Sequence, residues 1–185
     1  MQVRSARTAD LKAASAVILA AKAHWGYSAA QIEQWRESLL PSEQSLESWP
    51  TFVAEIEGQV VGFAQADPTV EPWELVSCWV QPGCMSRGIG SALLKEILAA
   101  AAVSGQEKLS IDSDPNAERF YLSRGASRVG QIAAPIYGDP ARVRPQLHLP
   151  TRRGLTQYCS DSAHSRVNPR CTWPMRRSGL RWQES

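Results

Sequence analysis

The segment from Arg87 to Ser91 brings a basic residue, two glycines and a hydroxyl to the start of a predicted helix. Gly88 and Gly90 have no Cβ atoms, so an anionic group can approach the backbone closely. The first amide groups of a helix have no partners within it, and the helix dipole adds positive potential at the same end. Arg87 supplies a fixed positive charge beside them, and Ser91 adds a hydroxyl donor. The turn Arg87-Gly88-Ile89-Gly90 therefore predicts a phosphate or pyrophosphate site.

A Gly-x-Gly turn also occurs in nucleotide-binding proteins, and the neighbouring residues decide between the classes. A dinucleotide-binding turn has a third small residue at position 93 and an acidic residue about 20 residues further on. This chain has Leu93 and Ser110 at those positions. No lysine directly follows Gly90, so the lysine-containing phosphate loop is excluded as well.

Apolar periodicity predicts the elements that position this turn. A strand over 73–80, apolar on both faces, is predicted to lie centrally in a sheet and to end at the turn. A helical stripe follows from Ile89 to Val103 and stops at a Ser-Gly pair. Strands over 52–56 and 60–64 flank Glu57-Gly58-Gln59 and predict an antiparallel hairpin.

The first 50 residues predict a strand, two helices and a loop. Residues 3–6 can form the strand, and Thr8 or Asp10 can cap the helix after it. Ser28, with Gln31 three residues on, predicts a capping box at the start of the second helix. Residues 41–50 are polar and are predicted to form a loop.

The chain beyond the central helix predicts four further elements: a strand over 109–111, a helix over 115–123, and closing strands over 126–132 and 143–149. Asp114 is a suitable N-cap for the helix, because Pro115 occupies its first position. The core is then expected to end near Pro150.

Length and charge predict one domain followed by a basic extension. At 185 residues the chain is long enough for one sizeable core. Residues 1–150 carry 13 Lys and Arg against 16 Asp and Glu, whereas residues 151–185 carry seven arginines against two acidic residues. The extension has no apolar period and is expected to be disordered or loosely packed. Its arginines form no recognisable nucleic-acid module, so nucleic acid is not an expected partner.

No targeting or membrane-spanning segment is predicted. The first apolar run, over 13–23, contains Ser15 and Lys22 and is too short to cross a bilayer. The four cysteines share no CxxC spacing and are Cys78, Cys84, Cys159 and Cys171. His164 lies at no usual metal-ligand interval from its neighbouring cysteines. The sequence therefore predicts a cytoplasmic protein without membrane contact, disulfide framework or metal.

Two blocks of the sequence lie in the same order as in a known family. The first is Met85-Ser86-Arg87-Gly88-Ile89-Gly90, and the second is Asn116-Ala117-Glu118-Arg119-Phe120-Tyr121-Leu122-Ser123-Arg124-Gly125, about 30 residues later. Over about residues 1–150 the chain resembles the GCN5-related N-acetyltransferase (GNAT) family, whose signature is Gln/Arg-x-x-Gly-x-Gly/Ala after the fourth strand. Met85 stands where that signature has glutamine or arginine. The second family block has an Asn, a small residue, Phe-Tyr and a Gly, and this chain follows it closely.

The resemblance implies an α/β fold with a mixed, mostly antiparallel central sheet that is flanked by helices and opens after its fourth strand. Acetyl-CoA is then the expected co-substrate, with no metal. Its pantetheine arm would lie in the opening, against backbone groups near Trp79 and Val80. The residues implied at its pyrophosphate are Arg87, Gly88, Ile89, Gly90 and Ser91. Asn116 would line the other side.

The implied activity is acetyl transfer to a primary amine of a small molecule or peptide, by direct attack in a ternary complex. Residues 1–150 would form the N-acetyltransferase domain. A non-catalytic acetyl-CoA-binding sensor or structural module of the same fold stays open as an alternative. The sequence does not identify the acceptor amine, and it leaves a homodimer open.

Attack by an amine on a thioester requires a base that takes the amine proton. Glu74 would share a strand face with Val76, Cys78 and Val80 if the strand alternates regularly. A carboxylate in an apolar strand can have a raised pKa suited to a base, although a hydrogen-bonded residue at a strand start is the structural alternative. Asp112, at the end of the next strand, is a second candidate and can also be a turn residue.

The departing thiolate benefits from a proton donor. The family places a tyrosine beside the coenzyme A sulfur, and the matching residue is Tyr121. Phe120 and Tyr121 point about 100° apart on a helix, and the phenylalanine is the better core residue. Tyr121 is therefore expected to direct its hydroxyl into the cleft as the general acid.

The resemblance places the acceptor wall in one segment, whose candidates are His24, Trp25, Tyr27, Glu33 and Trp35. Aromatic rings there can stack on a cationic amine. Trp25 and Tyr27 lie in a predicted loop and are the substrate-binding candidates. Trp35 shares helical spacing with apolar neighbours and is expected in the core.

Overall fold

A mixed sheet of seven strands forms the centre of the computed structural model, which describes residues 1–151. The strands are β1 (Gln2–Ser5), β2 (Thr51–Ile56), β3 (Gln59–Asp67), β4 (Glu74–Val80), β5 (Lys108–Asp112), β6 (Ser127–Ala133) and β7 (Val143–Pro150). Their order across the sheet is β1-β2-β3-β4-β5-β7-β6. Neighbouring strands are antiparallel except β4 and β5, which run parallel. The predicted mixed, mostly antiparallel sheet is confirmed.

Helices cover the sheet and are α1 (Leu11–His24), α2 (Ala29–Leu39), α3 (Glu43–Ser48), α4 (Ile89–Val103) and α5 (Glu118–Leu122). Short 3-10 turns precede α1, α4 and α5 and cover Thr8–Asp10, Pro82–Cys84 and Pro115–Ala117. Within residues 1–151, no helix is long and apolar enough to cross a membrane. The helix that was predicted over 115–123 is a 3-10 turn followed by the short α5.

Two of the local predictions were wrong. The segment predicted to be a loop contains α3, because Ser42 and Ser45 each accept the other's amide N–H at 3.1 Å and cap its first turn. Ser28 does cap α2 by accepting the Gln31 amide N–H at 3.2 Å. The capping box is incomplete, however, since the Gln31 side chain donates to Gln34 instead.

The core is divided between the two faces of the sheet. On one face α4 packs closely against β3, where a Cβ atom at Gly62 would lie 2.9 Å from Leu93 Cδ1 and 3.0 Å from Ile89 Cγ2. Glycine at position 62 thus allows the helix to approach the strand. On the other face α1 packs against Phe63 and Trp79. Burial of a side chain such as Leu93 contributes about 1.5–3 kcal/mol to folding.

A β-bulge in β4 changes which side chains share a face. Gln65 of β3 pairs with Ser77, but the next residue, Ala66, pairs with Leu75, so Val76 is an extra residue in β4. Leu75 therefore lies on the α4 face together with Cys78. The regular alternation assumed from the sequence is interrupted at this point.

The sheet opens between β4 and β5, as the resemblance implied. The two strands pair at Glu74 and Ser110, and the Ser110 amide donates to the Trp73 carbonyl at 2.8 Å. Beyond this pair they separate, and a narrow cavity lies between residues 76–79 of β4 and residues 111–114. The opening exposes the edge of β4 that faces β5.

Candidate active site

A cavity of about 480 Å³ lies beside the opening, between the turn after β4 and the start of α5. It is lined by eight of the predicted site residues: Trp25, Val80, Gly88, Ile89, Gly90, Ser91, Asn116 and Tyr121. We call it the cofactor cavity. Most of these residues belong to the two sequence blocks that resemble the family, and the fold brings the two blocks together.

The turn at the entrance to α4 presents free amide groups to this cavity. Gly88 is the N-cap and has φ of 81°, a left-handed conformation that favours glycine. The Ala92 amide donates to the Gly88 carbonyl at 3.0 Å and begins the helical hydrogen bonds. The amides of residues 89–91 precede that bond, so they are available to an anion at the positive end of the helix dipole.

The neighbours of Gly90, rather than its backbone conformation, limit the size of the side chain at this position. A Cβ atom there would lie 3.4 Å from Phe120 Cζ and 3.7 Å from Val80 Cγ2. These are ordinary contacts, but any larger side chain would extend into the gap between the two residues. Gly90 therefore keeps the wall of the cofactor cavity open.

The cation that lines the cofactor cavity is Arg124, which the sequence did not single out. Its guanidinium carbon lies 5.5 Å from the centroid of the Phe120 ring. Among residues 1–151, its Nε is one of three buried side-chain N–H donors without a hydrogen-bond partner. Arg87, the predicted cation, is exposed and lies outside the cavity lining. The sequence feature that could have identified Arg124 is its position directly before Gly125 in the second block.

The orientation predicted for Phe120 and Tyr121 was wrong in one respect. Tyr121 is the buried residue, with 6% exposure, while Phe120 is half-buried and packs beside Gly90. α5 has only five residues and follows a 3-10 turn, so the regular helical spacing assumed from the sequence does not fix its rotation. Tyr121 nevertheless lines the cofactor cavity as well as the core.

The Tyr121 hydroxyl lies beside the Cys78 thiol at the inner end of the cofactor cavity. Burial raises the pKa of Cys78 to about 12. Burial and the neighbouring Cys78 raise the pKa of Tyr121 well above its ordinary value. Both groups therefore keep their protons at neutral pH, and the tyrosine is a neutral donor.

The narrow cavity between β4 and β5 leads from Tyr121 toward a second large cavity. This passage has a volume of about 50 Å³ and shares Cys78 and Tyr121 with the cofactor cavity. It shares Trp79 and Asp112 with the second cavity. Trp25 stands at the passage, where its ring lies 5.2 Å from that of Trp79.

The second cavity, of about 430 Å³, is lined by apolar residues of α2 and of the segment after β6, with charged side chains between them. We call it the acceptor cavity. Trp35, which was expected in the core, is half-exposed and lines this cavity instead. The charged residues of the lining are Lys22, Asp112, Asp114, Arg142 and Arg144.

Asp114 is the centre of a buried hydrogen-bond network in the wall of the acceptor cavity. Its Oδ2 accepts from Lys22 Nζ at 2.7 Å and from the Tyr27 hydroxyl at 2.9 Å. Arg142 Nη2 donates to the Tyr27 hydroxyl at 2.9 Å and lies 3.5 Å from the same carboxylate oxygen. The Asn116 amide and side chain both donate to Oδ1 at 3.0 Å. Sequence separations of 92 and 115 residues explain why the sequence did not reveal this cluster.

Burial and ion pairing shift the pKa values of Asp114 and Lys22 in opposite directions. Burial by itself would raise the pKa of Asp114, but its hydrogen bond and ion pair with Lys22 outweigh that effect and lower it. Burial lowers the pKa of Lys22, against the opposing attraction of Asp114. The pair is therefore ionised, but Lys22 loses its proton more easily than a lysine on the protein surface does.

The predicted substrate-binding residues occupy different places. Trp25 lines the cofactor cavity and the passage. Tyr27 lies behind the acceptor cavity, in the network of Asp114, and its ring packs edge-on against Trp35 at 5.1 Å. Tyr27 therefore positions charged side chains rather than forming the cavity wall.

The structure separates Glu74 from the cofactor cavity. Because of the bulge, Glu74 lies on the opposite face of β4 from Cys78, which corrects the predicted shared face. It lines a different cavity, of about 330 Å³, together with Asp112 and His148. Burial raises the pKa of Glu74, and Asp112 and Asp67 add to the effect. Unlike Glu74, Asp112 also lines the passage and the acceptor cavity. Its Oδ2 accepts a hydrogen bond from Arg144 Nη2 at 3.0 Å.

Sulfur and acidic side chains show no metal arrangement in the part of the chain that the structure describes. Within residues 1–151 no three His, Cys, Asp or Glu side chains are grouped as metal ligands, and Cys78 and Cys84 are free thiols. The predictions for Cys159, Cys171, His164 and the basic extension concern residues outside the described range.

Comparison with known proteins identifies the class of enzyme. The model of the Acetyltransferase (GNAT) family matches residues 20–126, more than half of the chain. The chain therefore belongs to the GNAT family of acetyl-CoA-dependent acetyltransferases. A comparison of the sequence with curated proteins gave no match.

Solved GNAT structures share the fold at low sequence identity. A GCN5-related N-acetyltransferase from Rhodopseudomonas palustris is 21% identical, with a TM-score of 0.67 over 80% of this chain and 94% of that one. The PaiA N-acetyltransferase of Thermoplasma acidophilum, in complex with coenzyme A, is 16% identical, with a TM-score of 0.62 over 80% and 98%. The ribosomal-protein-S18-alanine N-acetyltransferase of Escherichia coli is 20% identical, with a TM-score of 0.61 over 85% and 98%.

Proposed function

We propose that the protein transfers an acetyl group from acetyl-CoA to a primary amine of a small molecule or peptide, within a ternary complex. The observation that carries the proposal is the passage between β4 and β5. It joins a cavity with free helix amides to a cavity with charged and aromatic walls. A cofactor and an acceptor entering from opposite sides would meet there.

The residues of the cofactor cavity fit coenzyme A chemically. The amides of residues 89–91 and the unpartnered Nε of Arg124 are donors suited to phosphate oxygens. The open edge of β4 at Trp79 and Val80 offers backbone groups to the amides of a pantetheine arm. Asn116 lines the opposite wall. Arg124 would supply the charge next to a turn in which Met85 replaces the family's polar residue.

When bound, acetyl-CoA supplies a thioester whose acetyl carbon is open to attack. The acceptor nitrogen forms a bond to that carbon and the carbon–sulfur bond breaks, while the nitrogen loses one proton. Asp112 and Asp114 both line the passage and the acceptor cavity, but the oxygens of Asp114 are already bonded to buried donors. We therefore assign that proton to Asp112, directly or through one water. Glu74 can assist only through Asp112, with which it shares the neighbouring cavity.

Tyr121 is suited to protonate the departing sulfur. Its hydroxyl lies where the cofactor cavity meets the passage, and its raised pKa keeps the proton available at neutral pH. The tyrosinate formed by this transfer recovers its proton from solvent, and Asp112 releases to solvent the proton that it took from the amine. Atoms and charges then balance, and the products are an N-acetyl amide and a free thiol.

The test is release of coenzyme A thiol, measured with acetyl-CoA and a panel of primary amines and peptides, with the acetylated product identified by mass spectrometry. Amine-dependent thiol release with one acetyl group on nitrogen supports the proposal. A protein that acetyl-CoA stabilises against heat, but that releases no thiol with any amine, is instead a sensor or structural module of the same fold.

A further inference from the structure

The acceptor cavity carries an excess of positive charge. In the described chain its lining contains three cations (Lys22, Arg142 and Arg144) and two carboxylates (Asp112 and Asp114), which leaves one net positive charge. Asp114 is saturated by buried donors, and its side chain is 7% exposed. An incoming ligand therefore meets positive potential at the cavity wall.

Unpartnered donors mark the same cavity. Residues 1–151 contain three buried side-chain N–H donors without a partner, and two of them, Trp79 Nε1 and Arg144 Nε, belong to residues that line the acceptor cavity. A buried donor without an acceptor destabilises the protein, so a ligand that supplies an acceptor there gains a favourable hydrogen bond. Neither donor has an acceptor among residues 1–151, so both are available to an acceptor oxygen of a ligand.

We propose that the acceptor is a small amine that also carries a carboxylate, as an α-amino acid does, and that Arg144 binds this carboxylate. The inference rests on the proposed function and deepens it. Arg144 uses Nη2 to bind Asp112 Oδ2 at 3.0 Å, so its other N–H groups remain for a substrate oxygen. A guanidinium is suited to a carboxylate because its planar fork can form two parallel hydrogen bonds.

The position of Asp112 limits the distance between amine and carboxylate. Asp112 lines the passage, whereas Arg144 lines the acceptor cavity, and the two side chains are in direct contact. An amine at the Asp112 side of the passage and a carboxylate on Arg144 would then be separated by only a few atoms. An α-amino acid has this short separation.

Other amine classes fit the cavity less well. A polyamine or aminoglycoside would bring several cations toward Lys22, Arg142 and Arg144. The α-amine of a protein chain has an amide in place of the nearby carboxylate, so it would leave Arg144 without its acceptor. A volume of about 430 Å³, with Trp35 and Leu39 as apolar wall, is suited to a molecule of amino-acid to dipeptide size.

The test compares matched amines in the thiol-release assay: each α-amino acid, its C-terminal amide, its decarboxylated amine and the corresponding aminoalkyl phosphate. We expect kcat/KM for the acid to exceed that for the amide by about 10- to 100-fold, the value of one charge-assisted hydrogen bond. In Arg144→Gln this ratio should fall to near one, mainly through KM. Arg144→Lys should retain part of the preference, because it keeps the charge and loses the fork.

The matched control is Arg128→Gln, which makes the same change on the neighbouring strand, where Arg128 contacts Glu118 and Gln131. It should leave the ratio unchanged. Equal rates for acids and amides in the natural protein would overturn the inference while leaving acetyl transfer intact. A preference for the phosphate over the carboxylate would overturn it as well.

A second measurement separates this inference from the proposed function. If no amine is acetylated, the melting temperature with coenzyme A is measured in the presence of an N-acetyl amino acid or its amide. A larger shift with the acid, lost in Arg144→Gln, would support the carboxylate site even without turnover. Equal shifts would refute it.

Discussion

Replacing Tyr121 by phenylalanine removes one oxygen atom where the cofactor cavity meets the passage. The ring keeps its place in the core, and the hydroxyl it loses lies beside the Cys78 thiol, a weak hydrogen-bonding group. The free energy of unfolding should therefore change by less than about 1 kcal/mol. The variant tests the donor without removing the side chain that supports the cavity.

The expected decrease in kcat is about 10²-fold, the lower end of the range for a general acid. A thiolate is a good leaving group, and the open cofactor cavity allows solvent to protonate it, so the effect should not exceed this value. A factor of 10² corresponds to about 2.7 kcal/mol in the activation free energy. The affinity for acetyl-CoA should change little, because the donors that we assign to its phosphates are elsewhere.

The raised pKa of Tyr121 also predicts the shape of the pH profile. An acid acts in its protonated form, which persists below its pKa, so raising the pKa extends activity to higher pH. In the natural protein kcat should rise as the amine loses its proton. It should not decline before pH exceeds the ordinary tyrosine pKa of about 10.

The assay is single-turnover acetylation of a confirmed amine, which separates chemistry from product release. The control is Tyr137→Phe, which removes the same atom from a fully exposed tyrosine and should leave kcat unchanged. An unaltered kcat in Tyr121→Phe, with chemistry shown to limit the rate, would refute the general-acid role and assign the proton to solvent.

Three further predictions concern the cofactor wall, the buried network and the domain boundary. Gly90→Ala should keep the acetyl-CoA-induced rise in melting temperature, because its Cβ makes an ordinary contact with Phe120, whereas Gly90→Val should abolish it in a folded protein. Asp114→Asn should lower the free energy of unfolding in urea by about 3–5 kcal/mol, since two buried cations lose their counter-charge, while the exposed Asp139→Asn should not. Because the pKa of Asp114 is lowered, its contribution is present at neutral pH and should be lost as pH falls below about 3.9. We propose that residues 1–151 fold alone: truncation after Thr151 should keep the acetyl-CoA-induced shift, and insoluble protein would show a misplaced boundary.

Long periodic elements could be predicted from the sequence because each depends on local pattern. The stripe from Ile89 to Val103 formed α4 as predicted, and the Glu57-Gly58 turn formed the hairpin between β2 and β3. The bulge at Val76 could not be predicted, because no glycine or proline marks it and the pairing with β3 determines it. That one inserted residue moved Glu74 to the other face.

The cofactor side of the site was more predictable than the acceptor side. The helix-start amides and Tyr121 belong to two short blocks, so sequence spacing was sufficient to find them. The acceptor cavity depends on contacts between α1, the segment after β5 and β7, and no local pattern connects Lys22 to Arg142. Trp35 was expected in the core because helical spacing identifies an apolar face but not what that face contacts.

The unpartnered donors of Trp79, Arg124 and Arg144 also bear on how far this fold can be stabilised. A fully buried donor without an acceptor costs about 1–3 kcal/mol, and the cost is smaller for Arg144, whose side chain is 42% exposed. Apolar replacements of similar shape would remove that cost and also remove the groups that we assign to ligands. Selection for thermal stability alone would therefore favour variants with weaker activity. At these three N–H donors, stability and activity place opposite demands on the sequence.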